Sequence, residues 1–105
     1  MNVLITAGHP TQRIDNTPGT AVTWRLLMKL HADPPSAFTP VGADRAVTGA
    51  SDTGNVNSLP DGDYDFGVIW LDSDERESAM AVTELNTTVP TLAPLKPGTV
   101  VAALA

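Results

Sequence analysis

The sequence predicts an all-β fold, a sandwich of two sheets, and three observations support this prediction. The chain has 105 residues, which is enough for one hydrophobic core. Nine prolines and eight glycines divide it into short segments, as is typical of turn-rich β domains. Two of those segments, 21–31 and 64–71, carry apolar side chains at every second position, which is the spacing of a strand with a buried face.

The segment Ala21–His31 is the most informative. Its even-numbered positions from 22 to 30 are all apolar, and its odd-numbered positions from 23 to 31 are polar except for Leu27. A helix is the alternative, because several of these residues are good helix formers. A helical wheel places Arg25 and Lys29 within the apolar arc, however, so a strand is favoured.

A second strong strand is predicted over Tyr64–Leu71. Ile69 and Leu71 make its other face apolar as well, which favours a central position in the sheet. A turn at Leu59–Asp63 precedes it, and an acidic turn at Asp72–Glu77 follows it. The side chains expected to line the core are Trp24, Leu26, Met28, Tyr64, Phe66, Val68 and Trp70.

Weaker signals fill the rest of the first 85 residues. A short strand is predicted over Asn2–Thr6, a loop over His9–Thr20, and another short strand over Phe38–Val41. Residues 43–58 are interpreted as a long loop or as weak strands that carry Val47 and Val56. Residues 78–85 are interpreted as a weaker strand or a short helix.

The chain is divided into a β-sandwich domain, 1–85, and a proline-spaced linker with a C-terminal strand or arm, 86–105. Pro90, Pro94 and Pro97 are expected to hold the linker extended. We expect Gly98–Ala105 to contact another subunit or to complete an open sheet edge; an ordinary last strand of its own sheet is the alternative. The side chains expected to make the interaction are Val100, Val101 and Leu104.

The stretch from Leu59 to Val68, followed by Asp72 and Glu77-Ser78, resembles a fibronectin type III domain, an Ig-like β-sandwich. The resemblance implies a tyrosine corner, in which the Tyr64 ring is buried and its hydroxyl bonds the backbone near Leu59. It also implies that strands C and C′ lie within residues 24–41. Only one predicted strand precedes strand C, where the family has two, and the tail adds a strand at the other end.

The N-terminal stretch Ile5-Thr6-Ala7-Gly8, followed by Ile14-Asp15, is similar to the opening of phosphopantothenoylcysteine synthetases. That resemblance implies a Rossmann-like nucleotide-binding fold, in which the glycine after the first strand lets a phosphate approach the backbone. The chain departs from that family soon afterwards, because Asn16-Thr17-Pro18-Gly19 replaces its longer glycine-containing stretch.

The composition excludes several classes of function. Six basic residues against twelve acidic ones give a net charge of −6, which repels phosphate backbones and disfavours nucleic-acid binding. No stretch has the ~20 apolar residues of a membrane span. The absence of cysteine excludes disulfides, thiolate metal sites and cysteine nucleophiles.

Candidate chemical groups are sparse. The acidic residues within 72–77 are interpreted as a solvated turn, since they lack the spacing of a calcium loop and Arg76 lies among them. Asp61, Asp63 and Asp65 alternate along a turn and the start of a strand, so they could point the same way, and they too are interpreted as solvated. His9 and His31 have no metal-ligand spacing, and no serine lies in a nucleophile elbow. The sequence therefore predicts a protein that is not an enzyme and that binds no cofactor or metal.

The function predicted from this combination is structural. Small, acidic, cysteine-free β-sandwiches rich in Thr, Ala and Gly resemble accessory proteins of tailed bacteriophage particles. That resemblance implies a capsid decoration protein or a tail or fibre adaptor on the virion. Its expected partner is the major capsid or a tail protein, and the chain is expected to form a homo-oligomer or to be present in several copies. A small Rossmann-like nucleotide-binding protein and an Ig-like adhesion module are the alternatives.

Overall fold

A computed structural model describes residues 1–86 and 102–104, which form antiparallel β-strands. This all-β architecture agrees with the predicted fold class. The strands in chain order are β1 (Val3–Gly8), β2 (Thr23–Leu30), β3 (Thr39–Pro40), β4 (Arg45–Ala46), β5 (Ser51–Val56), β6 (Asp63–Leu71), β7 (Ala81–Asn86) and β8 (Ala102–Leu104). The helical content of these residues is a single 3-10 turn, Pro35–Ala37.

The strands form two sheets with a core between them. The first sheet has the order β5-β1-β8, and the second has the order β3-β2-β6-β7, with β4 also paired to β2. Strand β8 pairs with Val3–Ile5 on the side of β1 away from β5. The C-terminal strand thus occupies one edge of the chain's own first sheet.

Strands β2 and β6 pair along the whole length of β2, from Thr23 opposite Leu71 to Leu30 opposite Tyr64. The predicted strand over Ala21–His31 is confirmed, and the helical alternative is wrong. The physical reason is the alternation itself, because a strand puts Trp24 and Leu26 in the core, where each is 1 % exposed.

The core matches the predicted set closely. Its buried residues include Trp24, Leu26, Tyr64, Phe66 and Val68 from the second sheet, together with Val3, Ile5, Ala7, Val56 and Ala102 from the first. Met28 and Trp70 are partly buried and pack against this cluster. Buried side chains therefore come from both sheets, which gives the molecule its sandwich-like character.

Two segments for which the sequence left alternatives open contain strands in the structure. The loop-or-strand alternative over 43–58 becomes β4 and β5, and the strand-or-helix alternative over 78–85 becomes β7. The first strand runs two residues further than predicted, because Gly8 still pairs with Ser51.

The Rossmann-like fold implied by the N-terminal resemblance is not what the described residues adopt. A fold of that kind places a helix after the first strand and pairs parallel strands. Here residues 9–20 form a loop, and every strand pairing among residues 1–86 and 102–104 is antiparallel. Gly8 ends β1 in a ladder with β5 rather than opening a helix.

One end of the sandwich is closed by backbone and hydroxyl contacts. The Tyr64 ring is 5 % exposed, and its hydroxyl donates to the carbonyl oxygen of Pro60 over 2.7 Å. The Met1 ammonium donates to the carbonyl oxygen of Leu59, and the Leu59 N–H donates back to Met1. These bonds fasten the 59–63 turn to the start of the first sheet.

Two parts of the sequence analysis lie outside the described residues: the proline-spaced linker, apart from its first residue, and the side chains of Val100 and Val101. Within the described ranges, no helix is long and apolar enough to cross a membrane.

Candidate functional site

Both histidines lie in hydrogen-bonded clusters. His9 follows β1, and its side chain is 4 % exposed. Its Nε2 lies 2.7 Å from Oδ2 of Asp52 on β5, and Trp70 on β6 donates its indole N–H to Nδ1 over 2.9 Å. We call these residues, with Thr48, the His9 cluster. It joins the two sheets at the end opposite the Tyr64 corner.

These contacts determine where the proton lies on the His9 ring. An indole N–H can only donate, so Nδ1 accepts, and Nε2 carries the hydrogen that is donated to Asp52. Asp52 also accepts from the hydroxyl and the backbone N–H of Thr48. The bonds from Thr48, and then the bond from His9, lower the pKa of Asp52 to about 2. With both ring nitrogens engaged, the histidine serves as a link between the sheets.

A second cluster lies on the outer face of the larger sheet. Lys29 on β2 and Asp65 on β6 are register partners and are 8 % and 6 % exposed. The Lys29 ammonium donates to Oδ2 of Asp65 over 2.7 Å and to three backbone carbonyl oxygens between residues 30 and 33. The Phe38 ring lies 5.4 Å from the same ammonium. This buried pair is therefore fully hydrogen-bonded and anchors the 31–38 segment to the sheet.

His31 and Glu84 lie beside Asp65 on the side that faces solvent. His31 Nδ1 is 2.7 Å from Oδ1 of Asp65 and 3.9 Å from Oε1 of Glu84. The hydrogen bond with Asp65 and the charges of both carboxylates raise the pKa of His31. Burial by itself raises the pKa of Asp65, but the hydrogen bonds from Lys29 and His31 outweigh it, and the pKa lies below its usual value.

In the acidic turn at 72–77, the first carboxylate, that of Asp72, accepts hydrogen bonds from other groups of the same chain. Asp72 accepts from the guanidinium groups of Arg13 and Arg76 and from the backbone N–H groups of residues 74 and 76. The hydrogen bond from Arg13 is the largest cause that lowers the pKa of Asp72. Asp72 thus connects this turn to the loop at 9–20, a contact that the sequence did not indicate.

That loop presents an apolar side chain at its tip. Backbone bonds between Arg13 and Thr17 and between Asn16 and Arg13 close a tight turn around residues 13–17. Asp15 Oδ1 accepts from both the N–H and the hydroxyl of Thr17, and Arg13 bonds Asp72 over 2.8 Å. Ile14, between these braced residues, is fully exposed. We call residues 13–17 the Ile14 loop.

An open cleft of about 470 Å³ lies beside the base of this loop. Its lining is mainly small and apolar, and it includes His9, Pro10, Pro18, Ala21, Val47 and Ala50. The ring nitrogens of His9 are already bonded to Asp52 and Trp70. The surface of the described cleft is therefore mainly apolar, and the ring nitrogens of His9 are not available there as reactive groups.

The sequence-selected residues occupy different regions of the molecule. Trp24 is in the core, Trp70 joins the His9 cluster, and Leu59 and Tyr64 form the corner. Leu104 is in β8 and 62 % exposed. The His31–Asp65–Glu84 group was not predicted, because its members are far apart in the chain and come together only through strand register. The sequence signals for it were the placement of Lys29 and His31 on one strand face and the acidic residues at 61, 63 and 65.

No protein family, curated protein or solved structure matches this chain.

Proposed function

We propose that this chain is a non-enzymatic, Ig-like protein-contact module that serves as an accessory structural protein of a virus particle. In this role it binds the repeating lattice of a major capsid or tail protein in several copies. The observation that carries the proposal is the Ile14 loop, because a fully exposed isoleucine on a turn braced by Arg13, Asp15 and Asp72 is suited to insertion into an apolar pocket of a partner.

The pattern of hydrogen bonding supports a contact role. The two histidines and the carboxylates of Asp52, Asp65 and Asp72 are all bonded to neighbouring groups of the same chain. These bonds hold loops and sheets in place. A rigid loop loses little conformational entropy when it binds, so a braced apolar tip favours affinity.

The strand arrangement supports the Ig-like assignment. If β2, β6 and β7 are strands C, F and G, then β1 takes the place of strand B, and β8 pairs with it where the family's strand A would lie. The Tyr64 hydroxyl bond to Pro60 at the start of β6 corresponds to the tyrosine corner of that family. In this assignment β8 occupies the position that strand A has in the family.

Quantitative mass spectrometry of purified particles tests the proposal. Particles from cells in which the virus multiplies should contain this chain in a fixed ratio to a capsid or tail subunit. The soluble fraction of the same lysate serves as the control and should be depleted of the chain as particles form. A chain that stays in the soluble fraction, with none in the particles, would contradict the virion role.

A further inference from the structure

Strand register brings three potential ligand groups together on the outer face of the larger sheet. Asp65 on β6 lies opposite Lys29 on β2 and opposite Glu84 on β7. His31 follows β2 two residues after Lys29, so its side chain is on the same face as Lys29. His31, Asp65 and Glu84 therefore converge on a single point at the end of three neighbouring strands.

Asp65 is held in place before any ligand arrives. Lys29 binds its Oδ2 from the buried side, while Oδ1 faces His31. A carboxylate oxygen has two lone pairs, so Oδ1 can bind a cation while Oδ2 remains bonded to the lysine. The Lys29 bonds to the backbone between residues 30 and 33 also fix the chain that carries His31.

We propose that His31 Nδ1, Asp65 Oδ1 and a carboxylate oxygen of Glu84 bind a divalent first-row transition metal ion such as Zn²⁺. The three ligand atoms lie within 4.8 Å of one another. A tetrahedral ion with bonds of about 2.1 Å separates its ligands by about 3.4 Å. The present separations of 2.7 Å and 3.9 Å from His31 Nδ1 lie on either side of that value.

Metal binding would require His31 and Glu84 to shift slightly, and both side chains are exposed enough to do so. The His31 and Glu84 side chains are 49 % and 70 % exposed, so each can turn by a fraction of an ångström without disturbing the core. Asp65 keeps its position. One imidazole with two carboxylates matches the preference of Zn²⁺ and similar ions, whereas Ca²⁺ and Mg²⁺ prefer oxygen ligands.

The ion would take the place of a proton. In the structure His31 Nδ1 and Asp65 Oδ1 share a hydrogen bond, and a metal between them needs the Nδ1 lone pair. A protonated His31 therefore releases one proton to solvent when the ion binds, and a neutral ring carries its hydrogen on Nε2. The charges of Lys29 and Asp65 offset each other, which leaves the Glu84 carboxylate to attract the cation.

Titration of the purified chain with Zn²⁺ alone tests this site. Wild type should bind one ion per chain and should melt at a higher temperature when the ion is present. Substitutions His31→Asn and Glu84→Gln should each weaken binding, His31→Asn by at least about tenfold. Glu84→Gln should leave the melting temperature of the metal-free chain nearly unchanged, because the Glu84 side chain is 70 % exposed.

Glu75→Gln is the matched control, since it also removes one exposed carboxylate but in the turn at 72–77, away from the proposed site. Its Zn²⁺ affinity should equal that of wild type. Co²⁺ provides a second readout, because its visible spectrum reports nitrogen and oxygen coordination. The inference is overturned if wild type binds no Zn²⁺ at millimolar concentration, or if His31→Asn binds as tightly as wild type.

Discussion

Hydrogen bonds from a few polar groups connect the two sheets at both ends of this sandwich. At one end, the Tyr64 hydroxyl bonds Pro60, and the Met1 ammonium bonds Leu59. At the other end, the His9 ring connects Asp52 of the first sheet to Trp70 of the second. Since a buried polar group costs free energy when it loses its partner, each contact stabilises a specific arrangement of the sheets.

Tyr64→Phe tests the corner. The change removes one hydroxyl and leaves the buried ring in place, so the Pro60 carbonyl oxygen loses its donor. The free energy of unfolding should fall by about 1 kcal/mol, as measured by chemical denaturation. Ser73→Ala, which removes an exposed hydroxyl, should have almost no effect. An unchanged stability for Tyr64→Phe would mean that the hydroxyl bond contributes nothing.

The acid stability of the chain tests the His9 cluster. The pKa of Asp52 is about 2 in the folded chain, against about 3.9 in an unfolded chain. Its contribution is therefore fully present above about pH 4 and is lost as the pH falls through about 2. Between about pH 4 and pH 2, the free energy of unfolding should therefore fall less in Asp52→Asn than in wild type. Chemical denaturation at each pH measures this difference.

The control for that measurement is Ser73→Ala, which should keep the wild-type pH profile. Other carboxylates with lowered pKa values, including Asp44 and Asp72, lower the stability of wild type and of Asp52→Asn alike in acid. The contribution of Asp52 is therefore measured by the difference between the pH profiles of wild type and Asp52→Asn. Identical slopes for wild type and Asp52→Asn would show that this carboxylate is not held as described.

The elements that were predictable from sequence are those whose burial pattern is local. In β2 and β6, apolar side chains recur at every second position, and this pattern predicted both strands. The spacing of Leu59 and Tyr64 indicated the tyrosine corner. The two histidine clusters were not predictable, because they require the register between strands that are far apart in the chain. Strands β4 and β5 were ambiguous because their residues are small and polar and give little periodic signal.

The pairing of β8 with β1 can be tested at the element scale. Ala102 is 1 % exposed within the core cluster, whereas Leu104 on the same strand is 62 % exposed. Ala102→Asp should lower the free energy of unfolding by about 2 kcal/mol or more, because it buries a carboxylate without a partner. Leu104→Asp, the matched control, should change it by less than about 0.5 kcal/mol. Equal effects in chemical denaturation would contradict this placement of β8.

In the described ranges, 1–86 and 102–104, two sheets that are fastened to each other carry a loop with a fully exposed isoleucine. Both ends of the two sheets are fastened, and the Ile14 loop is bonded to the turn that begins at Asp72. The hydrogen bonds of Arg13 and Asp15 restrain the loop, which is what the proposed binding to a lattice would require. The net charge of −6 favours partner surfaces with positive potential around an apolar pocket.

The central proposal, that the chain works by contact through the Ile14 loop, is tested most directly by binding to particles that lack the chain. Sedimentation should show saturable binding of wild type. Ile14→Ser should bind at least about tenfold more weakly, because burying an isoleucine is worth about 1.5–3 kcal/mol. Val82→Ser, which changes an exposed apolar residue on β7, should bind as wild type does. Equal binding of the wild-type and Ile14→Ser chains, or no binding by either, would contradict the proposal.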